Sequence, residues 1–146
     1  MNASHPIALK QSRLKSIRTD AHPFCIVCGQ SNPLGLGVKF VCEEDGSVSA
    51  KFLGHPALEG FEGLFHGGMI ASLLDGAMTN CLFASGIVAL TGELNVRYRL
   101  PVLIGEEICV RAWIERSWPP LHLLAAVLKQ RDVVKATATA KFMERP

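Results

Sequence analysis

One helical stretch that is apolar on nearly every face constrains this chain more than anything else in it. It opens at His66-Gly67-Gly68, runs on from Met69 and closes at Gly86. Met69, Ile70, Leu73, Leu74, Ala77, Met78, Cys81 and Leu82 fall all round the helical period, and a helix of that kind must be buried. The material to bury it comes next in the chain. Residues 87–99, 106–118 and 133–143 alternate apolar with polar or charged side chains, which reads as half-buried strand, and 121–130 adds a fourth, more apolar segment. Pro101, Pro119-Pro120 and a tight turn beginning at Asp132 separate them. Ahead of the helix, the short runs 38–42 and 48–52 flank Glu44-Asp45-Gly46-Ser47, a hairpin turn. Between that hairpin and the helix, residues 54–65 hold three glycines and a proline and read as a functional loop.

This order predicts an α+β chain: an antiparallel sheet of about six strands around one long central helix. Residues 1–22 are polar and basic and read as an N-terminal arm, either a short helix or a loose segment. Residues 23–146 form the domain. One helix cannot cover a whole sheet, so an uncovered edge is expected to pair with a second copy. At 49% hydrophobic and 19% charged residues, the chain is apolar enough to hide further surface in a homo-oligomer.

The net charge of +2 is too mild for a nucleic-acid partner. No apolar run is long enough to span a membrane, and the first residues lack a secretory core. Five cysteines, an odd number at irregular spacing, fit reduced thiols and a cytoplasmic location. Cys25-x-x-Cys28, with His22 three residues before it, is half of a zinc pattern. A second pair is missing, so no metal is expected. Nor is the thioredoxin-like context of a redox pair evident.

The chemistry gathers at the helix. Its first amide groups have no internal partners, and a helix start stabilises negative charge. A carbonyl whose oxygen becomes an oxyanion would be supported there by Gly67 or Gly68. Asp75, seven residues beyond Gly68, sits among Leu73, Leu74 and Met78, and a carboxylate in apolar surroundings is costly unless it is used. The alternative is an Asp at a solvated notch. From a rise of about 1.5 Å per residue, Asp75 and the helix start are roughly 10 Å apart. A site across a two-fold axis would bring one copy's amide to the other's carboxylate.

Phe65-His66-Gly67-Gly68-Met69-Ile70-Ala71-Ser72-Leu73-Leu74-Asp75 resembles the signature of hot-dog thioesterases of the phenylacetate-degradation type. Thr91-Gly92-Glu93-Leu94-Asn95-Val96-Arg97-Tyr98-Arg99-Leu100-Pro101-Val102, then Gly105-Glu106, is similar to that family's third strand and the turn after it. The start Cys-x-x-Cys-Gly…Asn-Pro-x-Gly-Leu looks like one subgroup, most of which is only presumed to be thioesterase. The resemblance spans residues 24–143. It implies a hot-dog fold, a homodimer or a dimer of dimers, and hydrolysis of an acyl-CoA thioester. Coenzyme A would be part of the substrate, with no separate cofactor. It implies Asp75 as general base or nucleophile, Gly67 or Gly68 polarising the carbonyl, His66 placing the thioester, and Thr91 orienting the attacking water. Two positions depart from the pattern. Gly60 stands where some members carry an Asn, with Glu62 or Asn95 as candidate substitutes for it, and Gly76 stands where the subgroup often has a Glu.

An apolar channel for pantetheine would draw on Phe61, Leu64 and Phe83. Arg97, Arg99, Arg116, Lys129, Arg131 and Lys135 could hold phosphates, although exposed strand charges are the simpler reading for most of them. His55 and His122 read as surface or core residues, and Trp113 and Trp118 as packing or interface residues. Two rival functions stay open. One is an acyl-CoA or small-ligand binding protein without turnover, favoured by Gly60 and Gly76. The other is a hot-dog hydratase or dehydratase, to which Gly54-His55-Pro56 is superficially similar although the helix lacks the acidic start such enzymes use.

Overall fold

The computed structural model describes residues 4–146. Its elements are α1 (Ser4–Ala21), β1 (Val41–Cys42), β2 (Val48–Leu53), α2 (Gly67–Ala84), β3 (Ala89–Tyr98), β4 (Glu107–Trp118), β5 (Leu121–Gln130) and β6 (Val133–Glu144). All strand pairs are antiparallel and form one six-stranded sheet in the order β1-β2-β4-β5-β6-β3. The predicted α+β architecture, with its order of strands and helix, is the one observed.

The alternation places the core. Along β6, Ala136, Ala138, Ala140 and Phe142 are buried while Thr139 and Lys141 between them are exposed. A stripe of alanines on the inner face lets α2 lie close to the sheet. Leu73, Leu74, Ala77, Met78 and Leu82 of α2 are fully buried, together with Ile108, Leu124 and Leu128 from the strands. Burying each such large side chain contributes about 1.5–3 kcal/mol. Arg131 and Asp132, both at positive φ (50° and 62°), make the two-residue turn that joins β5 to β6.

The first helix is docked on the body of the protein. Leu14 is fully buried in the common core, and Arg18 is almost so. Gln11 also serves one sheet edge: its Oε1 accepts from Cys42 N at 2.7 Å and its Nε2 donates to Phe40 O at 3.2 Å. The β1 edge is thus covered from within the chain. The opposite edge, β3, has no strand beyond it and exposes Leu90 and Tyr98.

After α1, residues 22–38 cross the outer side of α2. Gly76 is where the two meet: a Cβ there would lie 2.7 Å from Val27 Cγ1. The position that departs from the subgroup pattern is therefore filled by the side chain of Val27. Gly76→Ala should gain about 1 kcal/mol in helix propensity and lose more to overpacking of order 1–3 kcal/mol. The expected result is a lower urea midpoint at unchanged m-value. An unchanged or higher midpoint would show that Val27 yields freely.

Candidate active site

α2 begins with His66 as its cap. The His66 Nδ1 accepts from Gly68 N at 2.8 Å. This commits the Gly68 amide, one of the two donors expected for an oxyanion. The Gly67 N–H meets no acceptor among the described residues, so it is the amide left free. Tyr98, from the end of β3, donates its hydroxyl to Gly67 O at 2.7 Å and fixes this turn from the other side. The sequence reading did not single out Tyr98; its inward parity on β3 was the available signal.

The helix start opens on an apolar cavity of about 670 Å³ lined by Phe61, Leu64, Ile70, Tyr98 and Val102 among others. Gly60 lines it as well, and a Cβ at that position would come within 3.2 Å of the His66 ring. Phe61 and Leu64 therefore stand where a lining was expected. Phe83 does not: it is buried in the core, edge-on to His22 with ring centroids 5.0 Å apart. Glu62 is exposed and outside the set that lines this cavity.

Asp75 is half-buried. Leu73, Leu74 and Met78 turn into the core, and Asp75 instead opens on a separate cavity of about 130 Å³ shared with His22, Cys25, Cys28 and Asn80. Thr91 Oγ1 donates to Asp75 Oδ1 at 2.7 Å. Burial pushes the Asp75 pKa above the ordinary carboxylate value. The Thr91 bond pulls it back, Cys25 pushes it up again and His22 lowers it. Oδ2 has no partner among the described residues.

A bulge brings Thr91 to Asp75. Thr91 pairs with Phe142 and Glu93 with Lys141, so Gly92 between them is unpaired. Phe142 faces the core, and its cross-strand partner Thr91 shares that face. Beyond the bulge the parity is reversed. Leu94, Val96 and Tyr98 pair with buried alanines, whereas Asn95 and Arg97 pair with Thr139 and Thr137 on the outer face. Asn95 donates to Glu93 Oε1 at 2.9 Å. It therefore lies away from Asp75 and does not stand in for a residue at position 60. Arg97 lines an outer-face groove with Asn95, and Arg99 borders both that groove and the apolar cavity. Arg131 is paired with Glu106 at 2.7 Å. The six cations weighed as phosphate ligands are not gathered at one place.

The profile of the thioesterase superfamily matches residues 62–118, which runs from the loop before α2 to the end of β4. The chain has the hot-dog fold. Acyl-coenzyme A thioesterase THEM4 of Rattus norvegicus is 26% identical over 115 residues, covering 75% of this chain and 50% of that protein. This hot-dog chain thus spans half the length of that relative. A phenylacetic acid degradation-related protein from Ralstonia eutropha JMP134 superposes with a TM-score of 0.74 at 25% identity, covering 90% of this chain and 98% of that one. A protein from Streptococcus mutans UA159 bound to acetyl CoA shares the hot-dog architecture at a TM-score of 0.69 and 17% identity, over 74% of this chain and 88% of that one.

Two groups lie apart from this site. Ser117 Oγ and Glu144 Oε1 flank the buried His122 at 2.8 and 2.7 Å, so this histidine is a core residue. His22, Cys25 and Cys28 bring their donor atoms within 4.8 Å of one another. Hydrogen bonding to Cys28 pulls the Cys25 thiol below its usual range, and the same contact pushes Cys28 up. Among the described residues no helix is long and apolar enough to cross a membrane.

Proposed function

We propose that this chain hydrolyses an acyl-CoA thioester. The observation that carries the reading is Asp75 itself: a half-buried carboxylate with a raised pKa, one oxygen held by Thr91 and the other free, on the helix whose free Gly67 amide heads an apolar cavity. Oδ2 is the oxygen that would take a proton from water or attack the carbonyl. The Gly67 N–H would hold the developing oxyanion, and one such donor is worth about 10²–10³ in kcat. His66 shapes the helix start by capping it, and Thr91 orients Asp75.

Within one chain Asp75 and Gly67 line different cavities. The open β3 edge is the surface through which a second copy would join them. With β1 covered by α1, pairing of β3 with its symmetry mate would extend the sheet and bring one copy's Asp75 toward the other's Gly67. The related acyl-coenzyme A thioesterase and the acetyl CoA-bound neighbour support coenzyme A as the handle of the substrate.

The test is a panel of acyl-CoAs of increasing chain length, with a thiol reagent reporting free coenzyme A. Release should saturate with substrate and favour an acyl group that fills the apolar cavity. Saturable binding without thiol release on any member would overturn hydrolysis in favour of a binding protein. Loss of enoyl absorbance without thiol release would point to a hydratase instead.

A further inference from the structure

We propose that His22, Cys25 and Cys28 form a binding site for a zinc-like divalent cation beside Asp75. The three donors lie in the segment after α1: His22 follows the end of that helix, and Cys25 and Cys28 belong to the turn that crosses α2. Their donor atoms lie within 4.8 Å of one another. The separation of Cys28 Sγ and His22 Nδ1 is 3.9 Å. Two ligands at about 2.3 and 2.0 Å from a tetrahedral zinc stand roughly 3.6 Å apart, so a small inward movement closes the set. Two sulfurs and an imidazole are the donor mixture of zinc-like ions and a poor one for magnesium or calcium.

The turn is built for this. Gly29 N donates to Cys25 O at 2.9 Å, and a Cβ on Gly29 would lie 2.4 Å from Cys25 N, so only glycine permits the fold-back that sets the two sulfurs together. A second observation is independent of the donors. Asn80 of α2 is fully buried, and its Oδ1 has no partner among the described residues. Asn80 lines the same small cavity as the three donors. Its Nδ2 donates to Gly76 O at 2.8 Å, which fixes the amide. Three protein ligands leave one tetrahedral position free. A water held there by the cation is the kind of donor that buried Oδ1 lacks. Binding leaves two thiolates on the cation and releases to solvent whatever thiol proton the pair still holds, with no change of oxidation state.

No metal is expected from the sequence because a second Cys pair is missing; the fold brings the three donors together over the buried Asn80, and the fourth position falls to water rather than to a further side chain. The site would tie the end of α1 to the Cys turn and, through a cation-bound water at Asn80, to α2. It stands apart from whether the chain hydrolyses thioesters.

The experiment uses the full chain, reduced, stripped with chelator and titrated anaerobically with Co2+. The expected result is one ion per chain, with the visible bands of tetrahedral cobalt and a thiolate charge-transfer band, bleached by one equivalent of Zn2+. Cys25→Ser and Cys28→Ser should weaken binding by more than the roughly 10–100-fold lost with an outer ligand partner. Cys109→Ser, at an exposed thiol on β4, should bind as the parent does. In the unmutated chain, Zn2+ should slow maleimide labelling of Cys25 and Cys28 but not of Cys109. That arm needs no variant to fold. Octahedral cobalt only, equal binding by Cys25→Ser, or labelling indifferent to Zn2+ would each overturn the site.

Discussion

Asp75→Asn should lower kcat/KM for acyl-CoA hydrolysis by about 10²–10⁴-fold, the range a positioned general base supplies. The same substitution should make the protein more stable at neutral pH. Asn keeps an oxygen to accept from Thr91, so the local hydrogen bond survives while the charge is lost. The sign on stability comes from the raised pKa of Asp75, caused chiefly by burial. Between the ordinary carboxylate value and the raised one, the folded chain binds more protons at this position than the unfolded chain. Stability therefore falls as pH rises through that window, and above it folding carries the full cost of keeping the carboxylate ionised. Asn removes that cost. Urea unfolding at neutral pH should show a higher midpoint for the variant, and the gap should close as pH falls below the ordinary carboxylate range. In the unmutated chain, kcat/KM should rise with pH along a limb set above a normal Asp. Equal activity would remove Asp75 from the role of base, and a variant less stable than the parent at neutral pH would overturn the cost of keeping this carboxylate ionised. The opposition of the two effects marks a residue kept for chemistry rather than for folding.

What the sequence could reveal of this site follows from which physical signals are periodic. The burial of α2, the four long strands and the hairpin before the helix all rest on spacing, and each lies within a few residues of its expected bounds. Asp75 stands out because a charge interrupts an apolar helix. Thr91 and Asn95 show where spacing misleads. Strict alternation puts both on one face of β3, and the unpaired Gly92 separates them, turning Thr91 inward and Asn95 outward. An isolated glycine in a strand is a bulge signal, so this parity break was legible in principle. The neighbours of Asp75 were not. Leu73 and Leu74 precede it in sequence, yet the groups it meets, His22, Cys25 and Cys28, lie about fifty residues away along the chain. Nothing in a local pattern announces that the N-terminal turn crosses the helix there. The fit is written in two glycines, Gly76 under Val27 and Gly29 inside the turn, whose necessity appears only when the surfaces meet.

Gly29→Ala is expected to cost about 3 kcal/mol or more, which would place it among the severe single substitutions. The atoms a Cβ would strike are Cys25 N at 2.4 Å and the carbonyl oxygens of Cys25 and Pro23 at 2.7 Å. All three are backbone, so no rotamer change relieves the contact, and the turn must open. Opening it breaks Gly29 N to Cys25 O and Ser31 N to Pro23 O, both at 2.9 Å, and lifts Val27 and Cys28, both buried, off α2. Gly37→Ala provides the comparison. Gly37 is also in the N-terminal segment, at a φ of 63°, but nothing lies within 4 Å of a Cβ there. Alanine at that position carries only the left-handed backbone penalty of about 1–2 kcal/mol. Denaturant midpoints of the two variants separate close packing from backbone strain. If Gly29→Ala unfolds no earlier than Gly37→Ala, the turn is not held against α2 as tightly as these contacts require. If it unfolds well before, the segment over Asp75 is part of the cooperative core, and the environment that raises the Asp75 pKa is maintained by the same packing that stabilises the fold.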